Sequence, residues 1–408
     1  MTVEQTVQAE LQLRSAPLEG VRVLDLSRFI AGPLCAQNLG DFGAEVIRLE
    51  RPGGGDERQY PPLVNGHSLY VMVYNRNKLG ITLDTRHPSA GPILRGLIAA
   101  CDVLVENYRP GTLDKMGIGW QDLHGLSPRT ILTSISGWGQ TGPNVDRAVF
   151  DAIAQAASGL MSQTGPEGME PMLSGAFVAD YMAAAHATIG TLAALLARAS
   201  TGEGQHVDVA LVDSMFCSLG TMPSAYKLFG SIPKRTGNRD AITVPANLYR
   251  AVDGYVYIHA GSDPLFPRLA NAVGRPELID DMRFRGHQDR LAHVEEIDAI
   301  VAGWVADKTS MEIEETLIRA GVPVARAATV PEVTESRQIE ARAMMVNVDH
   351  PFASQEVPLP DQPIKLSATP AKIRMPAPDI GEHNDEVYSR LLGLVPSRLD
   401  QLRAEHVI

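Results

Sequence analysis

Cysteine is scarce in this sequence of 408 residues, and its arrangement excludes several classes of protein. The three cysteines, Cys35, Cys101 and Cys217, lie far apart and form no CxxC pair, which argues against a disulfide framework and against a zinc site. The 11 histidines are scattered, and neither HExxH nor GxSxG occurs. We therefore expect reduced thiols, as in a cytoplasmic protein, and no bound metal.

Long hydrophobic runs are also missing. The first 20 residues contain no apolar core of the kind found in a signal peptide, which favours a cytoplasmic location. The most apolar stretch, residues 182–199, consists mainly of alanine and contains His186. A buried helix is a better interpretation of this stretch than a membrane span, so we expect no membrane partner.

Basic residues are fewer than acidic residues in this sequence. The chain has 36 Lys and Arg against 48 Asp and Glu, a net charge of −12, and such an acidic protein is a poor candidate for binding nucleic acid. No GxGxxG follows the first predicted strand, where the sequence reads AGP, and GxxxxGK[ST] does not occur, so a dinucleotide-binding Rossmann site is not favoured and a P-loop is excluded. An anionic ligand would therefore need a local basic pocket.

Short apolar strands alternate with helical segments in the first half of the chain. This β-α-β pattern is typical of an α/β fold with an open, doubly wound parallel sheet. A long helix is predicted at 180–199, and the change of pattern after it indicates a smaller α+β domain at about 221–330. The predicted strands of the sheet are 21–26, 45–50, 80–84, 102–106 and 130–136, with a possible sixth at 206–209.

Asp180 stands out among the carboxylates because it directly precedes an alanine-rich helical stretch. One interpretation is an N-cap, in which the carboxylate accepts hydrogen bonds from the free amides of the first turn. The other is a carboxylate that the helix N-terminus orients in an apolar site, where it attacks an activated carbonyl as a nucleophile. The local pattern favours the cap and leaves both open.

Basic residues follow several of the predicted strands. Ligands of open α/β sheets bind beyond the carboxyl ends of the strands, so this placement favours a phosphate-bearing ligand. A solvated surface position is the alternative for each of them. The residues are Arg51, Arg58, Arg76, Lys78, Arg86, Arg109 and Lys115.

Several segments together resemble one family, the class III CoA-transferases of the CaiB/BaiF type, which include formyl-CoA transferases and are related to α-methylacyl-CoA racemases. The similar segments run in collinear order over nearly the whole chain. They are LEGVRVLDLSRFIAGPLCAQNLGDFGAEVIRLERPGGGD (18–56), NRNKLGITLD (75–84), DVLVENYRPGTLDKMG (102–117), SGWGQTGP (136–143), FDAIAQAASGLMSQTG (150–165), SGAFVADYMAA (174–184), TGEGQHVDVALVDSM (201–215), GVPVARAATVPEV (321–333) and IGEHNDEVYSRLLGL (380–394).

The resemblance implies an interlocked homodimer. Each chain would have a large Rossmann-like domain formed by residues 1–220 and 331–408, and a small domain at 221–330. It also implies that Asp180 is the catalytic aspartate, which forms an aspartyl anhydride and then an aspartyl-CoA thioester. Acyl-CoA and a carboxylic acid would be the substrates, and no cofactor would be permanently bound.

The resemblance also implies a set of CoA contacts. Tyr108 can stack on a base and Lys115 can reach a phosphate, whereas Arg86 stands where the family often has lysine. The matching positions are Arg51, Leu83, Arg86, Asn107, Tyr108, Lys115 and Met116.

Three departures argue against formyl or oxalate specificity. Ile30 and Ser136 replace a substrate-gating glutamine and a lysine, and residues 233–250 lack the glycine-rich lid. The alternative function is racemisation of a 2-methylacyl-CoA. Racemases need a histidine where this chain has Phe150, which cannot accept a proton, so transfer is favoured, although Asp263 matches an acidic racemase position.

The acyl donor is not specified by these motifs. His259, Arg235 and Arg239 are structural or surface residues in the simplest interpretation. Arginine binds carboxylate bidentately, so one of them could instead pair with the distal carboxylate of a dicarboxylic acid. We therefore predict a dicarboxylyl-CoA, such as succinyl-CoA, as the donor.

Overall fold

The computed structural model describes residues 16–408. Two short 3₁₀ segments, Asp56–Gln59 and Pro276–Ile279, accompany the regular elements. The strands are β1 (Arg22–Asp25), β2 (Glu45–Glu50), β3 (Leu63–Val64), β4 (His67–Ser68), β5 (Lys78–Thr82), β6 (Val103–Glu106), β7 (Ile131–Ser136), β8 (His206–Ala210), β9 (Ala246–Arg250), β10 (Tyr255–His259), β11 (Val324–Arg326), β12 (Met345–Val348) and β13 (Val357–Pro360).

Most of the helices are short. They are α1 (Ala31–Asp41), α2 (Leu69–Tyr74), α3 (Ala90–Ala99), α4 (Thr112–Lys115), α5 (Trp120–Leu126), α6 (Asp151–Ala157), α7 (Leu160–Gln163), α8 (Val178–Thr201), α9 (Leu211–Ser218), α10 (Met222–Phe229), α11 (Phe266–Ala272), α12 (His287–Ala292), α13 (Val294–Val305), α14 (Ser310–Arg319), α15 (Val330–Thr334), α16 (Arg337–Ala341), α17 (Asn384–Leu392) and α18 (Pro396–Ala404).

Six parallel strands form the main sheet, in the order β5-β2-β1-β6-β7-β8. The prediction of a mixed α/β fold with a parallel sheet is confirmed. The chain builds one half of the sheet outward from β1, then crosses back and builds the other half from β6. The strand order therefore reverses between β1 and β6, and such switch points are where ligands bind in open α/β sheets.

Both faces of the central strands are buried, which explains why β1 and β6 are mostly apolar instead of alternating. Along β1, Leu24 points into a cluster that includes side chains of α3, α17 and α18. Its neighbour Val23 points into a second cluster with side chains of α1, α8 and α9. Helices therefore cover the sheet on both sides.

The predicted third strand was displaced by two residues. The strand begins at Lys78, which pairs with Val46 in register, and it ends at Thr82. Lysine rarely starts a buried strand because an unpaired charge is costly to bury. Here the Nζ atom of Lys78 lies 2.8 Å from the carboxylate of Asp25, which compensates its charge.

Helix α8 includes the predicted 180–199 segment and is two residues longer at each end. Its small side chains Ala183, Ala187 and Thr191 are buried, and the helix packs on α1, α9, β7 and β8. Among the described helices, α8 is the one long and apolar enough to cross a membrane by length and composition. That is weak evidence, because a packed core helix has the same properties.

The chain divides into two compact units. Of the residues that the structure describes, the first unit comprises 16–160, 174–220 and 338–408, and the second comprises 161–173 and 221–337. The second unit contains the antiparallel sheet β11-β10-β9 and helices α11 to α14. At its centre the buried Arg290 donates to the carbonyls of Val244, Phe284 and Gly261.

The last part of the chain covers the β5 edge of the main sheet. The backbone of Gly80 exchanges hydrogen bonds with His383, and the amide of Thr82 donates to the side chain of Asn384. Further along, the amide of Asp84 donates to the carbonyl of Val407 at 2.7 Å. Residues from far apart in sequence thus form one wall of the first unit.

Candidate active site

The loops after β1 and β6 are joined at the switch point. The side chain of Asn107 accepts a hydrogen bond from the amide of Arg28 at 2.8 Å and donates one to the carbonyl of Arg28 at 2.7 Å. The next residue, Phe29, has a φ of +64°, a left-handed conformation that is strained for a bulky side chain. Asn107 therefore clamps a strained loop at the expected ligand position.

A cavity of about 930 Å³ opens beside this clamp. Six of the seven predicted CoA contacts lie on its wall, and the seventh, Asn107, is the clamp next to it. The wall also includes residues that the sequence did not suggest, among them Arg28, His87 and His406. The six predicted residues on the wall are Arg51, Leu83, Arg86, Tyr108, Lys115 and Met116.

The cations on this wall differ in how they are paired. Arg28 and Arg51 both bind the carboxylate of Asp56, at 2.9 and 2.6 Å. Arg86 and Lys115 are exposed, and neither has an ion-pair partner among the described residues. Two cations without partners in a pocket of an acidic protein are suited to bind phosphate groups.

A network of buried charges lies beneath the cavity. Arg48 donates to Glu57 at 2.7 Å and to Asn75 at 2.7 Å, and Lys78 donates to Asn75 at 2.9 Å and to Asp25. Burial lowers the pKa of Lys78 to about 8, although Asp25 acts in the opposite direction. The network fixes the end of β1 and hence the start of the clamped loop.

Asp180 lies in the first turn of α8 but does not cap the helix. The amides of Ala179 and Asp180 instead donate to the carboxylate of Asp151, at 2.7 and 3.2 Å. No described residue donates a hydrogen bond to the Asp180 carboxylate. Burial raises the pKa of Asp180, and the neighbouring Asp151 raises it further, to about 7.

The direction of α8 places Asp180 at the ligand-binding edge of the sheet. Helix α8 leads into β8, which runs parallel to β7, so the start of the helix lies near the carboxyl ends of the strands. Rings from four segments form a chain of edge and tilted contacts in the same region. They are Phe29, Tyr60, Tyr70, Tyr74, Phe150 and Tyr181.

Two of these rings meet through their hydroxyl groups. The oxygens of Tyr74 and Tyr181 lie 3.0 Å apart. Burial raises the pKa of both Tyr70 and Tyr74, and the negative charge of Asp180 raises it further. The phenols of Tyr70 and Tyr74 are therefore near enough to the Asp180 carboxylate to interact with its charge.

A second carboxyl group with a raised pKa, Glu106, ends strand β6. Burial raises its pKa to about 7, while Ser134 and the amide of Tyr108 act against the increase. The amide of Tyr108 donates to Glu106 at 2.8 Å, and Ser134 also contacts His206 at 3.0 Å. The sequence did not single out Glu106 as a candidate site residue, because it is simply the last residue of a predicted strand.

The departures Ile30 and Ser136, together with Phe150, are found in the first unit, whereas residues 233–250 belong to the second. Ile30 is buried just before α1, and Phe150 is exposed and stacks edge-on with Phe29 at 5.8 Å. Ser136 ends β7, and its buried hydroxyl has no hydrogen-bond partner among the described residues. The apolar Ile30 and Phe150 provide neither a polar gate nor a base.

The proposed carboxylate-binding residues lie in the second unit and are engaged there. Arg235 donates to the carbonyls of Ser162, Pro166 and Met169. Arg239 pairs with Glu295 and Asp298. His259 contacts Thr243, and Asp263 pairs with the buried Arg290. These contacts agree with the simpler, structural interpretation of each residue.

Comparison with known proteins decides the family. The model of CoA-transferase family III matches residues 18–384. This chain belongs to CoA-transferase family III. The family III chain is 39% identical to the succinyl-CoA–D-citramalate CoA-transferase of Chloroflexus aurantiacus, over 96% of the chain and 98% of that enzyme.

Other members of the family are similar over most of their length. The succinyl-CoA:glutarate CoA-transferase of Mus musculus is 35% identical over 96% of this chain and 90% of that protein. The crystal structure of a CaiB/BaiF family protein from Brucella suis superposes with a TM-score of 0.83 at 34% identity, covering 93% of this chain and all of that chain. The resemblance inferred from the motifs is thus confirmed, and the protein is an enzyme of the CoA-transferase class.

No metal site is indicated in the part of the chain that the structure describes. Residues 16–408 contain no group of three His, Cys, Asp or Glu side chains placed to hold a metal ion. Cys35 and Cys101 are buried, and burial raises the pKa of both thiols to about 12. Neither of these two thiols is therefore a nucleophile at neutral pH. The third cysteine, Cys217, is exposed on α9.

Proposed function

We propose that this family III enzyme transfers CoA from a dicarboxylyl-CoA, such as succinyl-CoA, to a small carboxylic acid, with Asp180 as the nucleophile. The observation that carries the proposal is the Asp180 carboxylate itself. It lies at the ligand-binding edge of the sheet, receives no hydrogen bond from a described residue, and is not needed as a helix cap. Relatives that use succinyl-CoA support the donor class.

The first half-reaction releases the donor acid. A carboxylate oxygen of Asp180 attacks the thioester carbonyl, the C–S bond breaks, and CoA leaves as the thiolate. The products are a mixed anhydride between Asp180 and the acyl group, and free thiolate. The thiolate then attacks the Asp180 carbonyl, which gives an aspartyl-CoA thioester and expels the donor carboxylate.

The second half-reaction repeats these steps with the acceptor acid. The acceptor carboxylate attacks the Asp180 carbonyl and displaces CoA thiolate, and the thiolate attacks the acceptor's carbonyl to give the new acyl-CoA. Asp180 is regenerated as a carboxylate. Water must be excluded, because both the anhydride and the thioester would hydrolyse, and the aromatic side chains around Asp180 are suited to exclude it.

The cavity beside the Asn107 clamp is the proposed CoA site. Arg86 and Lys115, the cations without ion-pair partners, would bind phosphate groups, together with Arg51. The rings and apolar stems of Tyr108, Leu83 and Met116 would contact the adenine or the pantetheine arm. CoA is a substrate in this proposal, and no cofactor is permanently bound.

An interlocked homodimer in the cytoplasm is the proposed state of the protein. Several large apolar side chains of α8, α9 and α10 are exposed in the single chain, which supports association with a second copy. They include Ile189, Leu196, Phe216, Leu228 and Phe229. Linked chains cannot separate without unfolding, so sedimentation at nanomolar concentration should still show a dimer. A reversible monomer peak would contradict the interlocked arrangement.

The nucleophile can be identified by trapping. Incubation of the enzyme with succinyl-CoA and hydroxylamine should convert the activated Asp180 to a hydroxamate, which adds about 15 Da to its peptide. Asp180→Ala should abolish both the label and transfer while CoA binding stays within a few-fold. Asp213→Ala is the matched control, because Asp213 is also in the first turn of a helix but is exposed.

Two outcomes would reject this assignment. The first is transfer activity in Asp180→Ala, and the second is a hydroxamate on another carboxylate. A donor panel tests the substrate class, since exclusive use of monocarboxylyl-CoA donors would overturn the dicarboxylyl proposal. Exchange of the α-proton of a 2-methylacyl-CoA with deuterated solvent, without transfer, would indicate a racemase.

A further inference from the structure

Asp151 connects two helices at the proposed nucleophile. It is the first residue of α6 and is buried. One of its oxygens, Oδ1, accepts the amide hydrogens of both Ala179 and Asp180, and the other, Oδ2, accepts a hydrogen bond from the side chain of Gln155 at 2.6 Å. Oδ1 of Asp151 is therefore committed to the start of α8, which carries Asp180, and Oδ2 is held by Gln155 on Asp151's own helix.

The first turn of α8 depends on this contact. Phe177 occupies the N-cap position, and its side chain provides no acceptor for the free amides. Asp151, which precedes Ala179 by 28 positions, performs the task that a Ser, Thr or Asp at the N-cap normally performs. Gln155 extends the link, because its Oε1 accepts the amide of Ser174 at 3.0 Å, so the approach to α8 is fixed as well.

We propose that Asp151 is a positioning residue for the nucleophile: it orients Asp180 through the backbone of α8 and places a second negative charge beside the Asp180 carboxylate. This inference rests on the proposed function of Asp180. Asp151 does not touch the reacting atoms in the proposal. It affects the reaction only by orienting Asp180 and by making the Asp180 carboxylate more basic.

The charge has a definite consequence for reactivity. After burial, Asp151 is the cause that raises the pKa of Asp180. The other titratable groups facing this carboxylate are the phenols of Tyr70 and Tyr74 on α2 and of Tyr181 on α8. A more basic carboxylate is the better nucleophile once ionised, but more of it is protonated below neutral pH.

The test is the pH profile of kcat/KM for Asp151→Asn. The amide keeps an Oδ1 atom that can accept both backbone hydrogens, so the helix start is retained while the charge is removed. Its Nδ2 group faces Nε2 of Gln155, which is also a donor, so the hydrogen bond to Gln155 is lost, as it is in Gln155→Ala. We expect the acidic limb of the profile to move to lower pH by about one unit. We also expect kcat on the alkaline plateau to fall several-fold, because the ionised Asp180 is then less basic.

Two matched variants separate charge from structure. Gln155→Ala removes the hydrogen bond to Oδ2 without changing the charge of Asp151, and its acidic limb should stay at the wild-type pH. Glu106→Gln removes the other buried carboxyl with a pKa of about 7, so it shows whether the limb belongs to Glu106. Asp151→Ser is a second uncharged variant with a good capping side chain, for use if Asp151→Asn does not fold.

The outcomes distinguish this inference from the proposed function. If wild-type enzyme gives no hydroxamate on Asp180, the proposed function fails. If the hydroxamate forms but the acidic limb of a folded Asp151→Asn or Asp151→Ser enzyme stays at the wild-type pH, Asp151 does not act through its charge and the inference is overturned. A limb that moves equally in Gln155→Ala would overturn it as well, because the charge would then not be the cause.

Discussion

Replacement of Asp180 by asparagine should stabilise the folded protein above neutral pH, although it removes the proposed nucleophile. The carboxylate is half-buried next to Asp151, and no described residue donates a hydrogen bond to it. Ionised Asp180 is therefore less stable in the folded chain than in water. An amide of the same shape removes this unfavourable charge and leaves the packing of α8 unchanged.

The size of the effect follows from the pKa, which is 3.8 for an unperturbed aspartate and about 7 in the folded protein. Below the lower value the group is neutral in both the folded and the unfolded chain. Between the two values it is ionised only when unfolded, so the free energy of unfolding falls as pH rises, and above pH 7 the loss is complete. A rise in pKa from 3.8 to about 7 corresponds to a loss of about 4 kcal/mol in the free energy of unfolding. Because the carboxylate is partly exposed, we expect a loss of about 2–3 kcal/mol.

Urea unfolding followed by circular dichroism, at one protein concentration, measures the difference. We expect Asp180→Asn and wild type to be equally stable near pH 4, and the variant to be more stable by about 2–3 kcal/mol at pH 8. Asp213→Asn, at an exposed position in the first turn of α9, should change little at either pH. A variant less stable than wild type by about 0.5–2 kcal/mol at pH 8 would show that the carboxylate acts as a cap after all.

Three further substitutions test the buried charges, the CoA cavity and the phenols. Lys78→Met leaves Asp25 buried without its ion-pair partner and should lower the free energy of unfolding by about 3–5 kcal/mol. Lys365→Met, which breaks a partly exposed ion pair with Asp361, should lower it by less than about 1 kcal/mol. Urea unfolding of both variants and wild type measures the difference. Arg86→Gln should weaken CoA binding several-fold in titration calorimetry, with a reduced salt dependence. Tyr181→Phe should raise KM for dicarboxylic acids more than for monocarboxylic acids in steady-state assays, because it removes a hydroxyl donor beside Asp180.

The apolar strands made the sheet predictable from sequence. A parallel strand covered on both faces is a short run of mostly apolar residues, and β6 (VLVE) was located to within one residue for this reason. Strand β5 was displaced because its first residue, Lys78, is charged. Only the position of Asp25, more than 50 residues earlier, makes a lysine acceptable there, and no local pattern reveals such a pairing.

The candidate site was predictable only in part, for a similar reason. Asp180 and most of the cavity residues were found through the family motifs. The cap that the local pattern assigned to Asp180 belongs to Asp151 on another helix, and His406 reaches the cavity from the far end of the sequence. Helix and strand propensities depend on a residue and its near neighbours in sequence. The capping by Asp151 and the position of His406 at the cavity depend instead on contacts that form only in the folded chain.

The return of the chain to the edge of β5 affects how the protein is made. The groups that cover this edge, from Met375 to Asn384, are synthesised about 300 residues after the strand itself. At about 5–20 residues per second, the ribosome needs roughly 15–60 s to supply them. During that interval the nascent sheet exposes an unpaired parallel edge, the kind of surface that pairs with other chains. Slow delivery of the last tenth of the sequence should therefore favour aggregation, and chaperone binding to the nascent chain should peak before residue 375 emerges.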